Sequence, residues 1–354
     1  MQEEMNSIKL TQFAHGGGCG CKIAPQVLKE ILHNHSMPID NPKLLVGNQS
    51  NDDAAVYDLE NGTALIATTD FFMPIVDDAF TFGSIASANA ISDVYAMGGK
   101  PIMALAILGW PVDKLSTSLA QQVMDGARAV CKAAGISLAG GHSIDTSEPV
   151  FGLSVNGFVS IDCLKKNNTA QEGDVLFITK PIGVGILATA QKRGVLLSED
   201  EQILIHQLKQ LNSIGYELGK IKGVTAMTDV TGFGLLGHLI EMAEGSGLSA
   251  VLNYNQLPVI AAARNYLQQR IIPDATYRNW NAYSSSVAFG TGVNVMEAFN
   301  LLPDPQTNGG LLFSVNENSV AEVQELLQKN SLNNFIQPIG TMIVKEEKII
   351  RVEA

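Results

Sequence analysis

From Ala54 onward, apolar runs of strand length alternate with helix-like stretches that begin or end on glycine, and this alternation confines the chain to an α/β or α+β architecture. AAVYDL and TALIATTDFF flank Glu60-Asn61-Gly62, which is a hairpin signal. A helix is expected from about Phe82 to Met97, stopped by Gly98 and Gly99. The longest apolar stretch, Pro101 to Trp110, reads as a buried strand, and Lys114 to Ala134 reads as a long helix. ISLAG is a strand leading into a turn at Gly140-Gly141-His142, and VFGLSVNGFVSI is another strand.

The second half repeats this grammar. VLFITKP is a strand, GVGILATAQKRG a glycine-started helix, and GLLGHLIEMAEGSG an amphipathic helix. LLFSV, the helix VAEVQELLQKN and closing strands follow the loop DPQTNGG. A chain of 354 residues exceeds what one hydrophobic core usually organises, so two domains are expected. The polar stretch DCLKKNNTAQEGD is the best linker. The expected division is a mobile glycine-rich segment at 1–22, domains at 23–162 and 174–354, and a linker at 163–173.

Hydrophobic residues make up 46% and charged residues 16%, which excludes disorder. A formal net charge of −12 argues against an extended nucleic-acid-binding face, which needs clustered Lys and Arg. Any phosphate bound here must be neutralised by divalent cations, backbone N–H groups or a few placed lysines. The segment MQEEMNSIKLTQF lacks the pattern of a secretory signal, and no apolar run reaches the roughly 20 residues that span a bilayer. A soluble, cytoplasmic protein is therefore expected, without membrane or nucleic-acid partners.

Aspartates recur at element ends beside Gly, Ser, Thr or Asn: Asp52-Asp53, Asp70, Asp93 and Asp229. Any single one is most often a cap. Several in separate segments suit a metal–nucleotide site, because Mg²⁺ takes carboxylate and phosphate oxygens together. Asp93 follows Asn89 by four residues and shares its helix face. Asp229 precedes a glycine-bearing helix start of the kind that presents N–H groups to anions. Neither GxxxxGK[ST] nor a correctly placed GxGxxG occurs.

HGGGCGCK holds the sharpest local constellation. Glycines in such number cannot keep a regular element without a large entropic penalty, so the segment should be mobile, with a helix opening at Pro25 behind it. In it Lys22 favours a thiolate at Cys19 or Cys21. The plain alternatives are a tag-like terminus or a soft-metal pair short of ligands. Gly141, His142 and Ser143 could meet phosphate, although a GGH sequence alone is more often only a turn. His33, His35, His206 and His238 read as ordinary helix or surface residues, and Cys131 and Cys163 as thiols without function.

HGGGCGCK, VGNQSNDDAAVY, TTDFFMPIVDD, NAISDVYAMGGKP, ILGWP, AGGHSID, TDVTGFGLLGH and DPQTNGG, in this order from about Ile8 to Gly310, together resemble the selenophosphate synthetase (selenide, water dikinase) family. The resemblance implies a two-domain fold like that of aminoimidazole ribonucleotide synthetase, in a homodimer whose N-terminal strands build a shared barrel. It implies conversion of ATP, selenide and water to selenophosphate, AMP and orthophosphate, with Mg²⁺ as cofactor and selenide or a selenium-delivering protein as partner. By motif, Cys19 matches the catalytic position and Lys22 the essential lysine, which also faces ATP. Asp53, Asp93 and Asp229 match the magnesium ligands. Ser50, Asn51, Asp52, Asp70 and Asp93 match ATP contacts, with Asn89 close by. Gly141, His142 and Ser143 match a segment reaching ATP from the neighbouring subunit. Asn308 stands where the family usually has serine in DPQTSGG. Two rival readings keep fewer of these residues in use: a kinase of the same fold with another acceptor, which needs no CGCK segment, and a thiol carrier, which leaves the aspartates idle.

Overall fold

The computed structural model describes residues 8–14, 16–23, 27, 30–31, 41–47 and 51–354; Ser50 and most of the helix expected from Pro25 lie outside them. The first half contains β1 (Leu44–Val46), β2 (Ala55–Asp58), β3 (Thr63–Phe72), α1 (Ala79–Ala96), β4 (Lys100–Trp110), α2 (Thr117–Ala133), β5 (Ser137–Asp145) and β6 (Val150–Ser160). They form a six-stranded sheet ordered β1-β2-β3-β6-β4-β5. The hairpin predicted around Gly62 is present, with Asp58 opposite Ala64. Only β4 and β5 pair in parallel.

Two expectations change here. Gly140, Gly141 and His142 lie within β5, paired to Leu105, Ala106 and Ile107, rather than in a turn. The strand absorbs the glycine pair through a register shift opposite Ala104 and Leu105. β4 is not buried on both faces, since Ile102, Met103 and Leu105 are exposed. Its apolar run alternates between a core face packed on α1 and α2 and an outer face that is bare among the described residues. Among the described residues the sheet is open, with β1 and β5 as its edges and no closed barrel.

α1 carries the site, and its environment explains its composition. It packs against β3, β6 and α2 and against elements of the second half, so nearly all of its residues are buried. Small Ala, Ser and Gly residues permit that approach on every side. Asp78 caps its first turn by accepting the Thr81 N–H at 2.7 Å. Gly98, at φ +72°, ends it as expected.

The second half contains β7 (Val175–Ile178), α3 (Val184–Lys192), α4 (Ser198–Lys209), α5 (Ile214–Lys220), β8 (Val224–Asp229), α6 (Gly234–Gly245), β9 (Ser249–Asn253), α7 (Ala261–Gln268), α8 (Asp274–Tyr283), β10 (Val287–Phe289), α9 (Val295–Leu301), β11 (Leu311–Val315), α10 (Val320–Lys329), β12 (Gly340–Ile343) and β13 (Ile350–Glu353). Its seven-stranded mixed sheet runs β10-β13-β9-β12-β7-β11-β8. β8 is an edge strand, and its last residue, Asp229, faces back toward α1 through Ser92. The polar segment between the sheets is pinned rather than free. Buried Lys165 donates from Nζ to the carbonyls of Ile221 and Val224 at 3.0 and 2.7 Å. Among the described residues, no helix is long and apolar enough to cross a membrane.

Candidate active site

The segment before β2, together with β3, α1 and the end of β8, brings the aspartates into one region, where hydroxyl side chains orient Asp53, Asp93 and Asp229. Thr68 Oγ1 donates to Asp93 Oδ2 at 2.5 Å, Ser92 Oγ to Asp229 Oδ2 at 2.5 Å, and Thr228 Oγ1 to Asp53 Oδ1 at 2.8 Å. Asn212 fixes Ser92 by donating to its Oγ at 2.8 Å. Burial and the neighbouring carboxylates, Asp229 first, drive the carboxyls of Asp53 and Asp93 well above their usual range. Burial likewise lifts Asp229 to about 6, against the opposing hydrogen bond from Ser92.

Such a group of carboxylates is held together at an electrostatic penalty that a cation would remove. Among the described residues, Asp53 Oδ2 is buried without a hydrogen-bond partner, an oxygen open to coordination. Among the described residues, no three acidic, histidine or cysteine side chains are arranged to enclose an ion by themselves. That arrangement fits a hard divalent cation which takes one or two carboxylates and completes its shell on phosphate and water.

Cys19 and Lys22 meet this region from the glycine-rich segment. Cys19 is buried, and its Sγ lies 3.3 Å from Asn89 Oδ1. Asn89 in turn donates from Nδ2 to Asp70 Oδ2 at 2.5 Å, so thiol, amide and carboxylate form a chain across β3 and α1. Lys22 Nζ lies 3.4 Å from Thr231 Oγ1. Desolvation pulls on its ammonium, but the charges of Asp70, Cys19, Asp93 and Asp229 outweigh that and raise its pKa.

The other predicted residues border this cluster or lie away from it, Asp52 bordering it by accepting the Asp53 N–H at 3.2 Å. Asn51 and Asp52 bind the segment between the sheets: Asn51 O accepts from Asn167 Nδ2 at 3.1 Å, and Asp52 Oδ1 accepts from the Asn167 N–H at 3.2 Å. Burial raises Asp52 to about 6. Gly141, His142 and Ser143 are exposed on edge strand β5 and share no side-chain hydrogen bond with the cluster among the described residues.

Sequence reasoning missed several participants. His238 is a buried part of the site rather than an ordinary surface histidine, because its Nε2 accepts the Thr231 N–H at 3.1 Å beside the Lys22 contact. Burial, then the charge of Lys22, lowers its pKa to about 3, so the ring is neutral. Lys180, fully enclosed, donates to Gln210 O at 2.7 Å and Asn308 O at 2.9 Å, and burial brings it down to about 7. Only the pairing of Thr with Asp in Thr228-Asp229 offered a local sign of these supports.

Asn308 has φ +47°, a left-handed conformation that Asn adopts more readily than most residues. Its N–H donates to Asn89 Oδ1 at 2.6 Å, and its amide donates to Leu208 O and Gln210 O at 2.7 and 2.9 Å. The substituted position thus links the loop to α4 through an amide that serine lacks.

Residues 51–159 match the family model "AIR synthase related protein, N-terminal domain", and 171–353 match its C-terminal counterpart. Curated relatives named "Selenide, water dikinase" are 53% identical over 338 residues in Aeromonas salmonicida, covering 96% of each chain. A further relative of that name, from Yersinia pseudotuberculosis, is 51% identical with 98% of each chain covered. The chain belongs to the selenide, water dikinase family. Within the wider fold it is similar to thiamine-monophosphate kinase from Stenotrophomonas maltophilia K279a, at 20% identity and TM-score 0.65 over 88% of this chain and 92% of that one. It is also similar to hydrogenase maturation protein HypE in complex with ATP, at 15% identity and TM-score 0.63 over 100% of this chain and 91% of that one. The two-domain α/β fold expected from the resemblance is therefore present, as an AIR synthase-type chain.

Proposed function

We propose that this chain is a selenide, water dikinase: selenide takes the γ-phosphoryl group of ATP to give selenophosphate, and water then cleaves the remaining diphosphate to AMP and orthophosphate. The observation that carries this reading is the convergence of Asp53, Asp93 and Asp229 with Lys22 and Cys19 in a chain whose relatives of that name match it over nearly full length. The solved HypE complex with ATP supports nucleotide binding on this fold.

Asp53, Asp93 and Asp229 would share two or more Mg²⁺ ions, each on one or two carboxylates, which would supply charge neutralisation for the triphosphate. Asp70, Asn51 and Asp52 are assigned to the nucleotide, with Ser50 beside them in sequence. Lys22, kept cationic by the surroundings of Asp70, Cys19, Asp93 and Asp229, stabilises charge on the transferring phosphoryl group. His238 stays neutral, so it orients Thr231 without adding a second positive charge. Cys19 holds or delivers selenium, with Asn89 fixing its sulfur near Asp70. The Cys19–Lys22 end of the glycine-rich segment moves to admit substrate; the domain division keeps 1–22 as that segment and joins domains at 23–162 and 174–354 through 163–173. Docked, it keeps water from the γ-phosphoryl until selenide takes it.

The bare face of β4 and the unpaired edge of β5, together exposing Ile102, Met103, Leu105 and Ile144, support a second copy packing there. The shared barrel and the reach of Gly141, His142 and Ser143 toward a partner's ATP belong to that homodimer. A cytoplasmic location and delivery of selenide by another protein complete the reading. The test is phosphorus NMR with ATP, magnesium and selenide: a phosphorus–selenium product with AMP is expected, and Asp53→Asn should abolish it. Formation of ADP alone would overturn the proposal.

A further inference from the structure

The hydrogen bonds at Cys19 come largely from residues far along the chain. Thr307 Oγ1, in the loop before β11, accepts the Cys19 N–H at 2.9 Å in a buried pair. Arg278 Nη2, on α8, donates to the next carbonyl, Gly20 O, at 2.8 Å. The fit between them is close. A methyl group on Gly18, which has φ +54°, would fall 2.5 Å from Thr307 Oγ1, and one on Gly232 would fall 2.6 Å from Cys19 O. Asn279 holds that floor by donating to Gly232 O at 2.8 Å and Pro303 O at 2.9 Å. Behind the segment lies a cavity of about 390 Å³, bordered by Gly17, Gly20, Arg278 and Thr307. With open space on that side, directed hydrogen bonds add to the packing of Cys19 in opposing its retreat.

We propose that Thr307 is a positioning residue for Cys19, with Arg278 as a second clamp on the adjoining peptide. Together they hold the thiol toward Asn89 and the carboxylates. The clamp stands on its own geometry, and its kinetic consequence rests on the reading of Cys19 as the selenium-handling thiol.

Thr307→Val keeps the side-chain shape and removes the Oγ1 acceptor of the Cys19 N–H. The docked segment should then open more often by about 5- to 100-fold. Alkylation of Cys19 by iodoacetamide, followed by peptide mass spectrometry, should accelerate by that factor. In parallel, kcat/KM for selenide should fall while KM for ATP holds, and Thr307→Ser should restore both. Arg278 is exposed, so Arg278→Gln should fold even where Thr307→Val does not, and it should speed alkylation several-fold. Unchanged alkylation in folded Thr307→Val, or failure of serine to rescue, overturns the clamp. Where Thr307→Val does not fold, unchanged alkylation in Arg278→Gln does the same. Faster alkylation with unaltered selenide kinetics upholds the clamp and overturns instead the role of Cys19 in selenium handling.

Discussion

At the scale of single residues, charge explains most of the site. Lys22 is placed to answer Asp70, Asp93 and Asp229 together with Cys19. Lys22→Gln should lower kcat by about 100- to 1000-fold, as expected when a group acting on developing charge is lost. Steady-state AMP release would check this. Asn308 makes a different case, since its amide bonds to Leu208 O and Gln210 O are structural. Asn308→Ser should cost about 1–2 kcal/mol, read as a lower thermal midpoint with magnesium and ATP absent. The aspartates, Cys19 and Lys22 were legible in sequence because acidic element ends and a thiol beside a lysine carry chemical meaning locally. His238 and Thr307 were not, because a histidine within a helix and a threonine in a turn acquire a role only from what folds against them.

At the scale of elements, α1 matters most, since it carries Asn89, Ser92 and Asp93 on one buried helix. Its N-cap supplies a test remote from the chemistry. Asp78→Ala removes the Thr81 bond and should destabilise by about 1 kcal/mol, with little change in KM for ATP. Hairpin, helix and strand periods predicted α1, β2, β3 and much of the second half correctly. β5 shows where local reading fails: Gly140-Gly141-His142 has turn composition, yet pairing with β4 keeps it extended. Glycine permits both outcomes, and the ladder selects one.

At the scale of the whole molecule, stability and binding both follow from buried charge. Asp304 is enclosed, and desolvation raises its carboxyl from 3.8 to about 8. Between those values the folded chain keeps a proton that the unfolded chain has lost, so this group's contribution falls as pH rises through that window. Asp304→Asn should flatten that limb, with its advantage growing toward pH 8 by up to about 1.4 kcal/mol per pH unit in thermal unfolding. His238 acts in the opposite sense. Between about 3 and 6.5 the unfolded chain takes up a proton that the buried ring refuses, so stability rises with pH there. With a net charge of −12, nucleotide should raise the melting temperature only when a divalent cation is present, and chelation should remove the effect. The amino-acid sequence alone determined the alternating architecture, the family resemblance and the residues with intrinsic chemistry, because periodicity and functional groups are local properties. Tertiary structure alone decided which hydroxyls orient the carboxylates, which side chains hold Cys19 and which sheet face stays bare. Those depend on contacts between segments as distant as Cys19 and Thr307, whose pairing no local pattern encodes.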